Sequence, residues 1–598
     1  MSALEDNSCK ELCTQAESST SEAVEQNEKV VSQDQGVKGF TLYACMGSLT
    51  LALFLSALDI LIVSTIIETV SRDFNEYSKS GWLVTGYSLP TALLSLVWGR
   101  TASIVGFKSS MLLSIIIFEV GSLVSALANS MNMLIGGRVI SGVGGSGLQT
   151  LCFLIISTLV DERSRGMAIA VLSCSFAVAS IVGPFLGGAF TTHVTWRWCF
   201  YINLPIGGLA FLVFVLSYNP NGGNSIKNFT KAVRSISHVD FGSLLKAKSY
   251  YNTFEKLVFK FDFVGFALCS AGFCLILLGL TFGGNEYSWG SGTIIAYLVI
   301  GIVLSIAFFL YDFFVFNRFK APRENTVYRP LVSWNVLSKP GVITATAVNF
   351  TICLMYNAQV IYIVQFFQLI YGSTAWKAGV HLIACVIPTI ITVNISGIIN
   401  GKTGHVKFII VVGVLAAIVG AGLLTLLDNN SGSSKHIGLL ILPGIAFGAI
   451  IQSTLMSSQI QIDKSSPSFR HDFISVTTMN SFAKALGTAF GGVISNTVFT
   501  TSVHNKLVES HLNLPIGSSA SQLIVYRAQN FDGPKSTVGY ILSDSIKNVF
   551  WMALGFSAVA LIFGILCSNK KIDIRKPGTD QAETEVTKDE EAEQTPKI

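Results

Sequence analysis

The chain has 598 residues, of which 51% are hydrophobic and only 13% are charged, and its mean hydropathy is +0.57. This composition excludes a soluble globular protein and indicates an all-α polytopic membrane protein. The formal net charge of +5 is spread through the loops and gives no reason to expect a nucleic-acid partner.

Apolar windows of about 20 residues predict the transmembrane helices. Fourteen windows lie near residues 40–66, 81–99, 109–128, 133–158, 167–192, 199–218, 262–282, 292–317, 341–365, 378–400, 407–427, 437–458, 473–500 and 547–568. Most Lys and Arg residues lie in the termini and the even-numbered loops. The positive-inside rule therefore predicts that both termini are cytosolic.

The windows divide the chain into two bundles, an insertion and connecting segments. The predicted segments are a disordered cytosolic tail over 1–39, a six-helix bundle over 40–218, a basic cytosolic loop over 219–261, two inserted helices over 262–317, a cytosolic loop over 318–340, a second six-helix bundle over 341–568 and a cytosolic tail over 569–598. The first tail lacks the basic and apolar regions of a cleaved signal peptide. The first span is therefore expected to insert uncleaved.

Glycine patterns repeat about 300 residues apart in the two predicted bundles. Residues 179–188 and 483–492 both read Ala-x3-Gly-x3-Gly-Gly, and glycines seven residues apart bracket the segments 99–106 and 397–404. Two matches at corresponding places indicate a duplicated six-helix unit. Two such halves around a central cavity are typical of transporters.

The fifth window contains residues that usually break helices. Ala179, Gly183 and Gly187 are four residues apart and form a stripe on which another helix can approach closely, and Gly188 follows it. Pro184 removes one backbone hydrogen bond and should bend the helix. The stripe is explained either by tight packing alone or by a mobile, closely packed seam between the halves. The duplicated position favours the seam.

Three ionisable residues lie inside predicted spans of the first bundle, where charge is costly enough to indicate function. At 1.5 Å per residue, Asp59 lies roughly 12 Å, Arg138 roughly 9 Å and Glu119 roughly 14 Å from the outer surface. A carboxylate beside an arginine stays ionised, so movement of Arg138 relative to Asp59 would drive proton uptake and release. The alternative is a fixed ion pair that only stabilises the bundle. In the second bundle, Gly444 is expected to occupy the position of Arg138.

Polar residues in the second bundle are candidates for a substrate cavity. Tyr356, Gln359, Tyr362 and Gln365 follow one another at intervals of three residues in the ninth window. They would line a cavity, or form hydrogen bonds between helices. Lys484 lies in the middle of the thirteenth window and needs a partner or water. It would act in gating or substrate contact, or in a structural pair.

Four motifs resemble those of the major facilitator superfamily. Residues 179–188 resemble its antiporter motif with Ala179 in place of the first glycine, and residues 134–144 resemble its fourth-helix motif. Two further stretches resemble the fourteen-span drug:proton antiporters of this superfamily. Residues 58–63 look like their first-helix motif, and residues 196–205 are similar to the stretch that opens their sixth helix. The resemblance covers the chain from Lys38 to Lys571 and is closest to fungal members.

The resemblance implies the major facilitator fold with 14 transmembrane helices, arranged as 6 + 2 + 6. It also implies a proton-coupled exporter of azoles, weak organic acids and other toxic compounds at the plasma membrane, with no cofactor and no metal. Residues 82–87 and 541–548 look like stretches found in two subgroups of the family, the exporters and the vacuolar transporters of basic amino acids. Residues 378–385 and 457–464 favour the exporters. The vacuolar transporter remains an alternative, and a non-transporting nutrient sensor is a second one.

Other features bear on class and partners. The chain contains no ATP-binding loop of the form G-x4-G-K-[ST], which argues against a primary pump, and no nucleophile–base or metal-ligand spacing that would indicate an enzyme. The expected partners are a small-molecule substrate, protons and membrane lipid, and we expect a monomer.

The chain departs from the family pattern in the loop after the second span. Ser103 and Ile104 stand where the family has an aspartate and an arginine, so a charge-based cytosolic latch is not expected there. Gly99, Gly106 and Lys108 match the pattern and remain candidates for a gating loop.

Overall fold

The structure is a computed structural model. It describes residues 40–218, 262–311 and 331–572, apart from short gaps at 75, 77–78, 284–286, 333, 374, 430–431, 465, 467–468 and 511–519. The predicted tail 1–39 and most of the other tail and of the two long cytosolic loops therefore lie outside the described residues. Within the described part, the chain is helical apart from turns, short connections and one isolated bridge between Gly283 and Tyr287.

The first predicted bundle is formed by long helices joined by short connections. Its helices are α1 (Phe40–Asp73), α2 (Ser80–Leu93), α3 (Ser95–Val105), α4 (Phe107–Ala126), α5 (Met131–Leu159), α6 (Glu162–His193), α7 (Trp198–Tyr201) and α8 (Asn203–Ser217). Helix α5 begins at an N-cap, where the side chain of Ser130 accepts a hydrogen bond from the backbone N–H of Met133. Helix α6 continues through Pro184.

The remaining helices form the insertion and the second bundle. They are α9 (Phe263–Phe282), α10 (Gly292–Tyr311), α11 (Trp334–Leu337), α12 (Pro340–Tyr371), α13 (Ala375–Thr403), α14 (Val406–Leu424), α15 (Ser433–Ile460), α16 (Phe469–Glu509), α17 (Ala520–Gln529) and α18 (Thr537–Leu566). Helix α12 carries Pro340 in its first turn, where the missing N–H costs no helical hydrogen bond.

The predicted count of fourteen spans is not confirmed. Within the described residues, twelve helical segments are long and apolar enough to cross a membrane. The second window is helical but is divided at Leu94 into α2, of 14 residues, and α3, of 11 residues. The thirteenth window lies in α16, which has 41 residues but carries Ser, Thr, Asn and Lys residues along its length.

The two bundles share a packing device that relates them as repeats. The hydroxyl of Thr91 in α2 donates a hydrogen bond to the carbonyl oxygen of Gly142 in α5, at 3.2 Å. The hydroxyl of Thr389 in α13 donates to the carbonyl oxygen of Gly444 in α15, at 3.0 Å. Gly444 is therefore the counterpart of Gly142, four residues after Arg138. The prediction that Gly444 occupies the position of Arg138 is wrong, because the register of the repeat differs by one helical turn.

The two halves meet through α6 and α13 at the end of the molecule that is predicted to be cytosolic. The amide of Gln452 in α15 donates to the carbonyl oxygen of Gly166 at 2.6 Å, and the amide of Asn394 in α13 contacts the sulfur of Cys174 at 3.1 Å. A Cβ atom on Gly166 would lie 3.0 Å from the carbonyl oxygen of Gly397. The halves are thus in direct contact at this end, with glycines at the closest approach.

Candidate functional site

A buried ion pair joins α1 and α5. Arg138 contacts Asp59 through a guanidinium nitrogen, and their side chains are 1% and 0% exposed. The Nε–H of Arg138 also donates to the carbonyl oxygen of Leu83 at 3.2 Å, and the guanidinium carbon lies 4.5 Å from the centre of the Tyr87 ring. The structure therefore brings together the two residues that were predicted to share one depth. It also gives Arg138 partners on α2 that do not depend on the carboxylate.

A third residue, Asn203, completes the surroundings of Asp59. The amide nitrogen of Asn203, the first residue of α8, donates to Oδ1 of Asp59 at 3.3 Å and to the hydroxyl oxygen of Ser122 at 3.1 Å. Both oxygens of Asp59 therefore have a donor, an arrangement that suits an ionised carboxylate. Asn203 was not among the predicted site residues, although it lies in the stretch 196–205 that opens the sixth span.

Glu119 lies apart from this ion pair. Its side chain projects from α4 towards α8, where a Cβ atom on Gly207 would overlap its carboxylate. Neither carboxylate oxygen makes a hydrogen bond to any described residue. Ser122, one turn later on the same helix, is linked through Asn203 to Asp59. Glu119 therefore lies one helical turn from Ser122, without a hydrogen bond to this residue or to Arg138.

A chain of polar contacts leads from the ion pair towards the space between the halves. The hydroxyl groups of Tyr87 and Ser56 are 2.8 Å apart, and the amide of Gln149 donates to the Ser56 hydroxyl at 3.1 Å. The Tyr87 ring lies under Arg138, and Gln149 faces a small central cavity. A shift of Arg138 would therefore act on a residue at the cavity wall through two intermediate side chains.

The central cavity lies between the first half and α16, and its volume is about 10 Å³. It is lined by Thr91, Ser95, Ser146, Gln149, Thr150 and Phe153 of the first half and by Ser481, Lys484 and Ala485 of α16. This volume admits roughly one water molecule. An organic substrate does not fit into this closed cavity.

Lys484 is the one cation among the residues that line this cavity. Its ammonium nitrogen lies 4.1 Å from the centre of the Phe176 ring and 5.2 Å from that of Phe153. No carboxylate of the described residues forms an ion pair with it. Both aromatic rings belong to the first half, so Lys484 reaches across the boundary between the halves.

The polar strip predicted on α12 does not line this cavity. Tyr356 stacks on Phe447 of α15 at 3.8 Å, whereas Tyr362 is buried beside Phe499 of α16 at 5.2 Å. The side-chain amide of Gln359 is buried and Oε1 of Gln365 is enclosed, and neither has a hydrogen-bond partner among the described residues. A spacing of three residues falls short of one helical turn, so successive members face different neighbours.

The small-residue stripe of α6 packs inside the first half, so the prediction of a seam between the halves is wrong. A Cβ atom on Gly183 would lie 3.1 Å from Cβ of Leu61 in α1, and one on Gly187 would overlap the Thr65 hydroxyl. Ala179 packs in the same interface with α1, and a Cβ atom added to Gly188 would meet no atom within 4 Å. The side chain of Pro184 lies outside the described residues.

The repeated stripe packs in the same way in the second half. Cβ atoms on Gly487 and Gly491 of α16 would overlap the carbonyl oxygens of Phe350 and Leu354 in α12. The stripe therefore holds α6 against α1 and α16 against α12. A pattern of small residues predicts a close approach, but it does not identify the approaching helix.

The predicted gating loop is a sharp bend between two helices. Only Gly106 lies between α3 and α4, and its φ of +98° is a backbone conformation that favours glycine. Gly99 lies within α3, where a Cβ atom would overlap Thr478 of α16. The ammonium group of Lys108 donates to the carbonyl oxygen of Val215 at 2.9 Å, so it fixes the end of α8.

Charged contacts between the halves lie next to this bend. Arg100 donates to Nε2 of His471 at 3.3 Å, and Lys464 forms an ion pair with Glu162. These contacts link α3 and α6 with the segment around the start of α16. Charged side chains therefore join the halves close to Ser103, although Ser103 itself is uncharged.

The insertion is anchored at the same end by Asp262, which precedes α9. Its carboxylate accepts hydrogen bonds from the backbone N–H groups of Gly265 at 3.0 Å and Leu331 at 2.9 Å. Burial raises the pKa of Asp262, although these two donors and the charge of Arg100 act in the opposite direction. The side chain thereby connects the first turn of α9 with the segment that precedes α11.

This architecture, with two related helical halves, a central cavity between them and a buried ion pair in one half, defines a multi-pass membrane transporter. The chain belongs to the Major Facilitator Superfamily, whose family model matches residues 49–321. The transporters of this superfamily carry small-molecule substrates.

Two proteins of Saccharomyces cerevisiae are similar over nearly the whole chain. Vacuolar basic amino acid transporter 5 is 55% identical over 538 residues, which cover 90% of this chain and 92% of that protein. Azole resistance protein 1 is 53% identical over 572 residues, which cover 93% of each chain. The crystal structure of the human organic anion transporter MFSD10 (TETRAN) covers 88% of this chain and 100% of its own, with a TM-score of 0.52 and 12% identity, and supports the fold alone.

Proposed function

We propose that this chain is a proton-coupled exporter of organic compounds, including azoles and weak organic acids, in the plasma membrane. The observation that carries the proposal is the buried pair of Asp59 and Arg138, which is connected to the central cavity through Tyr87, Ser56 and Gln149. The similarity to azole resistance protein 1 supports the substrate class. A proton gradient is the energy source, and no cofactor takes part.

In the proposed cycle, Asp59 takes up and releases the coupled proton. Protonation removes the negative charge that Arg138 faces, and the guanidinium then keeps its bond to the Leu83 carbonyl and its contact with the Tyr87 ring. When Arg138 shifts, its contact with the Tyr87 ring moves the Tyr87 hydroxyl, which is bonded to Ser56. The change thereby reaches the cavity wall, where it favours one of the two arrangements of the halves. Glu119, one helical turn from Ser122, is the second candidate for the proton-coupling carboxylate.

We further infer a monomer with fourteen crossings, both termini in the cytosol and membrane lipid around the bundle. In this arrangement, α2 with α3 forms the second crossing and α16 forms the thirteenth, and both are shielded from lipid by the opposite half. The segments 99–108 and 469–478 then form the cytosolic gate.

A vacuolar transporter of basic amino acids is the second candidate function. The 55% identity to vacuolar basic amino acid transporter 5 favours it. The residues that line the central cavity favour the exporter, because they include Lys484 and no carboxylate that would bind a cationic side chain. Imaging of the tagged chain separates the two functions, since label confined to the vacuolar rim contradicts the proposal.

The experiment that tests the coupling role is substrate flux through Asp59→Asn in sealed proteoliposomes. Asn keeps the size and hydrogen bonding of Asp but cannot take up and release a proton, so flux of an azole should no longer follow an imposed pH gradient. Glu509→Gln, a change at an exposed position at the end of α16, is the matched control and should behave like the parent.

The flux has to be normalised to folded protein, because the substitution leaves Arg138 without its charged partner. Breaking a buried ion pair costs about 3–5 kcal/mol of stability. If the Asn variant still concentrates the azole as the parent does, Asp59 is not the coupling residue and Glu119→Gln is tested next.

A further inference from the structure

The central cavity holds a cation that no described acidic residue neutralises. Lys484 projects from the middle of α16 into the space between the halves, and the acidic residue Asp59 is already paired with Arg138. A lysine inside a membrane protein requires a partner or water. The rings of Phe176 and Phe153 provide weak cation–π contacts with the ammonium group, and these do not cancel its charge.

The rest of the cavity wall presents hydrogen-bond donors beside this cation. Thr150 is 1% exposed, and its hydroxyl has no hydrogen-bond partner among the described residues. The amide nitrogen of Gln149 has two N–H groups, one of which donates to Ser56. Ser481 adds a hydroxyl from α16. The lining residues include no Asp or Glu, so the wall is complementary to an anion with several acceptor atoms.

We propose that Lys484 and Thr150 bind the carboxylate group of the substrate, so that this transporter accepts organic monocarboxylates in their anionic form. The inference rests on the proposed export function and assigns the residues that bind the weak organic acids among its proposed substrates. Lys484 is then the residue that determines specificity for the anion. A basic amino acid would bring a net positive charge next to Lys484 and find no acidic partner in the wall.

The position of the two residues also explains how an anion would act on the conformation. Thr150 belongs to α5 of the first half and Lys484 to α16 of the second half. A carboxylate that bonds to both bridges the halves and stabilises their approach around the substrate. In the closed arrangement, this site has a volume of only about 10 Å³, which leaves no room for an organic anion. Binding therefore requires the halves to separate first.

The test compares an anion with its uncharged analogue on the purified full-length chain. Benzoate and benzamide have nearly the same shape and differ in the charge of the group that would contact Lys484. Binding is measured from the thermal unfolding midpoint at increasing ligand concentration and constant ionic strength. We expect benzoate to raise the midpoint of the parent and benzamide to leave it unchanged.

Three variants separate the charge of Lys484 from its packing. Lys484→Gln should weaken benzoate binding by about tenfold or more, because a charge-assisted hydrogen bond is lost. Lys484→Arg keeps the charge and should retain most of the binding. Lys506→Gln, which changes another lysine of α16 outside the cavity lining, should bind benzoate like the parent. Equal binding of benzoate and benzamide, or unchanged benzoate binding in Lys484→Gln, would overturn the proposal.

A second arm distinguishes failure of this inference from failure of the proposed function. Asp59→Asn should still bind benzoate while losing flux that is driven by a proton gradient. Benzoate binding through Lys484 without any response of the parent flux to the gradient would reject proton coupling and leave the anion site standing. Proton-driven azole flux in a parent chain that does not bind benzoate would reject the anion site alone.

Discussion

The contact between α6 and α1 can be tested with two adjacent glycines. A Cβ atom on Gly187 would overlap the hydroxyl of Thr65 and lie 3.1 Å from Cγ1 of Ile62, whereas one on Gly188 would meet no atom within 4 Å. Both residues lie in the same helix, so replacement by Ala changes the helix propensity by the same amount, about 1 kcal/mol in favour of Ala. The difference between Gly187→Ala and Gly188→Ala therefore isolates the overpacking, which costs about 1–3 kcal/mol.

The assay is thermal unfolding of the two purified variants in the same detergent. We expect a lower unfolding midpoint for Gly187→Ala than for Gly188→Ala. Adding Thr65→Ala to the Gly187 variant should recover part of the difference, since it removes the overlapped hydroxyl. Equal midpoints for the two glycine variants would refute the assignment of the stripe to the α1–α6 contact.

Two further substitutions test the bend and the contact between the halves. In Gly99→Ala the new methyl group would collide with Thr478 and should loosen the predicted cytosolic contact between the halves. A membrane-impermeant maleimide should then label Cys174 several-fold faster. An unchanged labelling rate would contradict the role of Gly99 in the contact between the halves. A Cβ atom at Gly106 would meet no other atom, but the φ of +98° is strained for Ala. We therefore expect Gly106→Ala to lower the free energy of unfolding by about 1–3 kcal/mol. The control Gly136→Ala, whose Cβ atom would also meet no other atom, should not lower it.

Depth in the membrane was predictable from the sequence, and partners within the bundle were only partly so. Counting residues from the ends of two spans placed Asp59 and Arg138 at one level, and the structure brings them into contact. The same count placed Glu119 nearby, but it contains no information on helix rotation, which turns this side chain towards Gly207 instead. Asn203 was missed because an amide at the first turn of a helix resembles an ordinary polar residue until its neighbours are known.

The glycine patterns were informative about spacing and misleading about location. The repeat of residues 179–188 in 483–492 does reflect equivalent packing, since each segment lies against the first helix of its own half. The seam was a wrong interpretation because small residues permit any close approach, within a half or between halves. The register error at Gly444 has a similar cause: several glycines follow Arg138 in its helix, and only the hydrogen bonds of Thr91 and Thr389 fix which of them corresponds.

The two halves keep the same packing devices but differ in their ionisable residues, and this difference bears on how proton movement reaches the substrate. The ion pair of Asp59 and Arg138 belongs to the first half, whereas Lys484 belongs to the second. In the proposed cycle, the proton and the substrate anion therefore bind to different halves, and coupling requires a contact that crosses the cavity. Gln149 is suited to provide it, because it is bonded to Ser56 on the side of the ion pair and faces the cavity that Lys484 enters. A carboxylate held there would respond to the state of Asp59 through Arg138 and three further side chains, those of Tyr87, Ser56 and Gln149, without direct contact between the proton site and the substrate.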